Sequence, residues 1–120
     1  MSSVILIIST TTPSTGLPTK TEQADLNQAV YGRNGEAPIP VVAAKSPSDC
    51  FDTVFTACKM AVEHMTPVMV LTDGYIANGS EPWMFPLSKD LEKITPPFVT
   101  EADKDSFMPY ERDENGVRKW

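Results

Sequence analysis

The sequence predicts an α/β fold: a small open parallel sheet of three core strands, with crossover helices and an extended C-terminal tail. Apolar runs at residues 4–8, 41–44 and 67–72 have the length of buried strands and are too short for helices. Helical patterns separate these runs, so the order is strand, helix, strand, helix, strand. Crossovers of this length favour parallel strands with right-handed connections.

Two helices are predicted between the strands. The first covers residues 21–31 and ends before Gly32, and the second covers residues 47–64. Ser46 suits the cap of the second helix, and Asp49 stands at the capping-box position. The following apolar residues recur at helical spacing and are expected to pack this helix on the sheet: Cys50, Phe51, Val54, Phe55, Cys58, Ala61, Val62 and Met65.

Composition excludes several classes of function. The net charge of −6 argues against binding to nucleic acid or to anionic lipid. The apolar run near residue 4 is too short for a membrane span or a signal-peptide core, so we expect a cytoplasmic protein. Cys50 and Cys58 lie about 12 Å apart along one helix, too far for a disulfide. They are expected to be reduced, buried thiols, and no metal site is predicted.

Ligands of open α/β sheets bind beyond the carboxyl ends of the strands. Residues 10–20 join the first strand to the first helix and offer hydroxyls, backbone amides and one lysine. Unpaired amides at a helix N-terminus attract anions, so a carboxylate or phosphate could bind there. The alternative is that these hydroxyls only cap the helix and pair with the backbone of their own loop.

Three further polar residues are candidates for catalytic groups. Asp73 and Glu81 flank the exit of the third strand and could transfer protons, although Asp73-Gly74 also suits a plain turn. His64 lies near the end of the second helix, where a surface position is expected. No residue is therefore assigned a catalytic role.

Four blocks of sequence resemble the alpha subunits of 2-oxoacid:ferredoxin oxidoreductases, most closely those of the 2-oxoglutarate type. They read PSTGLPTKTEQADL over 13–26, YGRNGE over 31–36, SPSDCF over 46–51 and LTDGYIANGSEPW over 71–83. The blocks stand in the family's order and spacing, and they extend over most of the chain, from residue 13 to residue 83.

The resemblance implies a role within a larger enzyme. The family decarboxylates 2-oxoacids oxidatively with thiamine diphosphate and coenzyme A, and passes electrons through iron–sulfur centres to ferredoxin. Residues 1–80 would be the second half of a pyrimidine-binding domain, and residues 81–120 a linker or tail toward a missing next domain. The expected partners are a beta subunit, which carries the diphosphate-binding and iron–sulfur parts, and a gamma domain or subunit. The chain alone is expected to bind no cofactor and to have no activity.

The resemblance also implies a substrate-binding role for Thr10, Ser14, Thr15 and Gly16. Thr10 stands where the family usually has an arginine that grips the substrate carboxylate, and a hydroxyl cannot replace a bidentate guanidinium. Similarly, Ile7 stands where an aspartate is common. Two other functions remain open: a free-standing α/β module that binds a small anion, and a non-catalytic paralogue. Unpaired sheet edges and a tail rich in aromatic residues predict that the isolated chain self-associates.

Overall fold

The computed structural model describes residues 5–9, 24–32 and 38–120; for residues 5–9, 24 and 25 the description is limited to the backbone. No helix in these ranges is long and apolar enough to cross a membrane. The elements in chain order are β1 (Ile5–Ser9), α1 (Ala24–Tyr31), β2 (Val41–Ala43), α2 (Asp49–Glu63), β3 (Val68–Thr72) and α3 (Gly74–Asn78), followed by short 3₁₀ turns at Ser88–Asp90 and Glu101–Asp103.

The three strands form one parallel sheet in the order β1-β3-β2. Ile5 pairs with Val68 on one side of β3, and Val41 pairs with Met69 on the other. Four consecutive residues of β3, from Val68 to Leu71, are buried, because this central strand is covered on both faces. The predicted α/β class and the parallel sheet of three strands are confirmed.

The side chains of β3 alternate between two core clusters, one on each face of the sheet. Val68 and Val70 pack with Ala57 and Ala61 of α2. Met69 and Leu71 pack on the opposite face with Ala29 of α1. Each helix presents alanine to the sheet, and small side chains allow a helix backbone to approach closely. The core is therefore a three-layer arrangement centred on one strand.

The predicted packing face of α2 is only partly correct. Val54 joins the cluster against the sheet, together with Ala57 and Ala61. Phe51 and Phe55 instead stack on each other, with ring centroids 6.3 Å apart. The broad apolar stripe therefore divides into two rows, and the small residues of the first row bring the helix against the sheet.

The thiols and the first helix also differ from expectation. Cys50 and Cys58 are free, as predicted, but both are half-buried and not fully enclosed. In α1 the buried residue is Ala29, whereas the apolar residues Leu26 and Val30 are exposed. The predicted first turn, residues 21–23, lies outside the described residues. The helix ends as predicted, with the Gly32 amide donating to the Gln28 carbonyl at 2.9 Å.

The tail is extended, as predicted, but its last part closes on itself. The Val99 amide donates to the Trp120 carbonyl at 2.8 Å, and the Trp120 amide donates to the Pro97 carbonyl at 2.9 Å. The rings of Phe98 and Trp120 lie 5.0 Å apart. We call residues 97–120 the C-terminal loop, because these contacts join its two ends.

Asp103 ties the C-terminal loop further. Its carboxylate accepts hydrogen bonds from the Lys119 ammonium at 2.7 Å, from the Thr100 hydroxyl at 2.7 Å and from the Thr100 amide at 3.2 Å. The Lys119 ammonium, followed by Thr100, lowers the pKa of the Asp103 carboxyl to about 2. The ionised carboxylate is therefore the form that the loop favours.

Acid is expected to loosen this loop. A carboxyl whose pKa falls on folding stabilises the folded state at pH values above its ordinary pKa, which is 3.8 for Asp103. This contribution is lost as the pH falls through the folded-state pKa of about 2. The protection of the Thr100 amide against hydrogen exchange should fall from about pH 5 to about pH 2. In an Asp103→Asn variant the protection should be lower throughout and should not change with pH over that range. Identical pH profiles for the two proteins would contradict this role of Asp103.

Candidate functional site

The candidate site lies at the carboxyl edge of the sheet. β1 ends at Ser9, which pairs with Thr72 at the end of β3, so the chain leaves both strands at the same edge. The predicted substrate-binding residues Thr10, Ser14, Thr15 and Gly16 follow β1 and lie outside the described residues, so their role stays a prediction. The described part of this edge consists of residues 45–49 after β2 and residues 73–81 after β3.

The start of α2 forms one wall of this edge. The helix begins at Asp49, two residues later than predicted, after a turn that contains Pro47 and Ser48. The Ser46 hydroxyl accepts from the Asp49 amide at 3.4 Å, and the Asp49 carboxylate accepts from the Lys45 amide at 3.0 Å. The cap of α2 is Ser48, whose side chain makes no capping bond, and not the predicted Ser46. Only one half of the predicted capping box is present, because the Asp49 carboxylate binds the Lys45 amide and not the Ser46 amide. The Lys45 amide is also the main cause of the lowered pKa of the Asp49 carboxyl.

Glu81 reaches this wall from a position 33 residues further along the chain. Its carboxylate accepts from the Ser48 amide at 2.9 Å, immediately before the first turn of α2. The hydroxyl of Ser48, then its amide and the hydroxyl of Ser46, hold the pKa of the Glu81 carboxyl below its usual range. A carboxylate near a helix N-terminus is stabilised by unpaired amides and by the helix dipole. Glu81 is therefore held as an anion that caps α2.

Asp73 caps the short helix α3. Its carboxylate accepts from the Ile76 amide at 2.8 Å, and its carbonyl accepts from the Ala77 amide at 2.9 Å. The plain turn considered at Asp73-Gly74 is therefore the start of a helix, which ends at Asn78. Asp73 and Glu81, the two candidate carboxylates for proton transfer, both accept hydrogen bonds from backbone amides, and this arrangement suits helix capping.

Gly79 joins the two walls of the edge. A Cβ atom at this position would lie 3.1 Å from the Pro47 ring and 3.1 Å from the Tyr75 carbonyl oxygen. Both distances are shorter than ordinary van der Waals contact, so glycine lets the end of α3 pack against the turn that precedes α2. This close approach precedes Glu81 by two residues and brings its carboxylate within reach of Ser48.

The described residues of the edge do not fit a diphosphate group. They hold three carboxylates, Asp49, Asp73 and Glu81, and one lysine, Lys45. A diphosphate would be repelled by this balance of charge, and the amide that precedes α2 is already bound to Glu81. No cluster of histidine, cysteine or acidic residues suited to a metal occurs in the described ranges. His64 is exposed at the end of α2, as predicted.

Comparison with known proteins shows the family of this chain. The sequence model of the family described as "Pyruvate flavodoxin/ferredoxin oxidoreductase, thiamine diP-bdg" matches residues 1–118. The chain belongs to this family. No solved structure matches the chain.

The relatives of the chain include two proteins whose names mention 2-oxoglutarate. The "2-oxoglutarate oxidoreductase subunit KorA" of Mycobacterium tuberculosis is 53% identical over 107 residues, which are 89% of this chain and 16% of that protein. The "2-oxoglutarate synthase subunit KorA" of Methanothermobacter thermautotrophicus is 32% identical over 114 residues, 95% of this chain and 30% of that protein. The resemblance to alpha subunits of 2-oxoacid:ferredoxin oxidoreductases is confirmed, and the chain spans less than a third of either relative.

Proposed function

We propose that this chain is a fragment of the alpha subunit of a 2-oxoglutarate:ferredoxin oxidoreductase, and that it has no turnover alone. It would contribute to the thiamine diphosphate and substrate site and to subunit assembly. The observation that carries the proposal is the 53% identity to the Mycobacterium tuberculosis protein over 89% of the chain. On this proposal, residues 1–80 are the second half of a pyrimidine-binding domain, and residues 81–120 lead toward a further domain.

The geometry of the carboxyl edge supports a substrate-binding role for the loop after β1. Two crossover helices, α1 and α2, begin on the carboxyl side of the sheet. The amide before α2 is bound to Glu81, which leaves the N-terminal side of α1 as the better place for an anion. The loop that leads there carries Ser14, Thr15 and Gly16, whose hydroxyls and backbone amides would bind the substrate carboxylate. Thr10 would add a neutral hydroxyl where the family's arginine is expected.

The acidic side chains at the carboxyl edge favour a cofactor site that is shared between this chain and another subunit. Thiamine diphosphate, held elsewhere in the enzyme, would supply the electron sink that decarboxylation of a 2-oxoacid needs. The described residues of this chain do not favour the diphosphate, which agrees with a beta subunit that holds the diphosphate and the iron–sulfur centres. We further propose that a gamma domain or subunit, coenzyme A and ferredoxin complete the cytoplasmic reaction.

Exposed apolar side chains support an assembly role. Tyr75, Met84 and Phe85 are 87%, 88% and 78% exposed. They lie next to the carboxyl edge in sequence, on α3 and on the segment that follows Glu81. Surfaces of this kind commonly mark sites of association between proteins. In the isolated chain they would favour a homo-oligomer, and in the enzyme they would be covered by neighbouring parts.

A reconstitution experiment tests this proposal. The purified chain, given 2-oxoglutarate, thiamine diphosphate, coenzyme A and oxidised ferredoxin, is expected to reduce no ferredoxin, because the diphosphate site and the cluster ligands are supplied elsewhere. The complete enzyme from the same source is the positive control. Sedimentation velocity should show an oligomer for the chain alone and a complex after addition of the beta subunit.

Two outcomes would contradict the proposal. Turnover by the chain alone would show that it is not an inactive fragment. A chain that sediments as a monomer and does not bind the beta subunit would favour a free-standing module.

A further inference from the structure

Residues 81–95, which we call the strap, run beside α2 from its first turn to its last. Four contacts join the strap to the helix in the same order along both segments. They are Glu81 with the Ser48 amide at 2.9 Å, Trp83 with Phe51 at 5.5 Å between ring centroids, Glu92 in an ion pair with Lys59, and the Thr95 amide with the Glu63 carboxylate at 3.3 Å.

On the helix, the contacts follow one row of side chains. Phe51, Lys59 and Glu63, with Phe55 between them, recur every four residues and therefore share one stripe of the helix surface. This row is separate from Val54, Ala57 and Ala61, which pack on the sheet. The strap thus covers part of a helix surface that the sheet does not use.

A side chain takes part in each of these four contacts. Carboxylates accept the hydrogen bonds at both ends of the strap, Glu92 and Lys59 form an ion pair, and the aromatic contact joins two rings. No backbone-to-backbone hydrogen bond joins the strap to α2, both of which the structure describes in full. Most of the strap is exposed, and the Glu92 side chain is 70% exposed. Segments held by a few exposed contacts open at a lower free energy than the core of a protein.

We propose that the strap opens from α2 as a single unit while the sheet stays folded, and that opening uncovers the Phe51–Phe55 stack. Gly79, which precedes the strap, and the C-terminal loop, which follows it, mark its two ends. Opening removes the Trp83 ring from Phe51 and the Glu81 carboxylate from the start of α2. The strap is therefore a movable cover over an aromatic surface, and this inference does not depend on the proposed enzymatic role.

Hydrogen exchange of the full chain, measured by NMR in its native state, tests the proposal. The Ser48 and Thr95 amides report on the two ends of the strap, because their partners are the carboxylates of Glu81 and Glu63. Glu92→Ala removes the ion pair, which is the third of the four contacts from the N-terminal end of the strap, without changing α2. If the strap opens as a unit, both amides should exchange faster by the same factor, roughly two- to fivefold for one exposed ion pair.

Asp90→Ala is the matched control. It also removes a carboxylate from the strap, at a position where the described part of the chain shows no ion pair, and it should change neither amide. The Val70 amide in β3 should keep its rate in both variants. Trp83→Ala removes the ring contact near one end of the strap. It should also accelerate the hydrogen exchange of the Thr95 amide at the other end.

Three results would overturn the proposal. Acceleration of only one of the two reporter amides would mean that the contacts open independently. Faster hydrogen exchange of the Val70 amide together with the Ser48 and Thr95 amides would mean that the strap opens only when the whole chain unfolds. Unchanged exchange of both reporters in Glu92→Ala and in Trp83→Ala would mean that these contacts do not hold the strap.

Discussion

Replacing Val70 with aspartate is expected to unfold most of the chain at room temperature. Val70 lies in the central strand, is 2% exposed and packs against Ala57 and Ala61 of α2. A carboxylate at this position would be buried without a partner. We expect the free energy of unfolding to fall by roughly 4 kcal/mol or more, a large part of the ~5–15 kcal/mol that holds a typical domain folded. Circular dichroism during a urea titration would measure the loss.

Thr56→Asp is the control for this substitution. It introduces the same side chain on α2 at an exposed position, where a solvated charge costs little, so its urea midpoint should stay close to that of the parent chain. A folded Val70→Asp variant with a midpoint near that of the control would show that β3 is not the centre of the core.

The second large effect is expected from Trp120→Ala. The Trp120 ring packs on Phe98 and helps to join the two ends of the C-terminal loop. Truncation of a fully buried tryptophan costs about 3–5 kcal/mol, and for this half-buried ring we expect roughly half of that cost. Because the loop closes locally, this free-energy cost should appear as faster hydrogen exchange of the Val99 amide. A cost near 2 kcal/mol corresponds to exchange that is about thirtyfold faster.

Tyr110→Ala is the control for the C-terminal loop. It removes an aromatic ring that is 85% exposed in the same loop, and the Val99 amide should keep its protection. Equal acceleration by both variants would mean that the loop responds to any truncation and that the Phe98–Trp120 contact does not close it.

The sequence predicts the sheet well because its signals are local. Runs such as that of β3 are apolar over their whole length, and this pattern is typical of a strand buried on both faces. The length of the crossovers then implies parallel pairing, and the structure has this pairing on both sides of β3. The parts of the fold that depend on residue type and spacing were therefore accessible without the structure.

Contacts between distant segments were less predictable. Helical spacing groups Phe51 and Phe55 with Val54, but it cannot say which row meets the sheet when two apolar surfaces compete for one helix. The bond from the Ser48 amide to Glu81 spans 33 residues and has no local signature. The start of α3 did have a signal, an aspartate one position before the helix, but five residues are too few for a periodic pattern. The resemblance to the family supplied what spacing could not, namely a candidate role for the loop after β1.

The strand order also bears on how the chain folds as it is synthesised. The central strand is the last of the three to be made, so neither edge strand can find its partner until β3 has left the ribosome. The loop that Val41 and Met69 close is less than half as long as the loop that Ile5 and Val68 close. Shorter loops cost less entropy and close sooner. We therefore expect β2, α2 and β3 to assemble first, and β1 to wait as an unpaired apolar segment that a chaperone can bind.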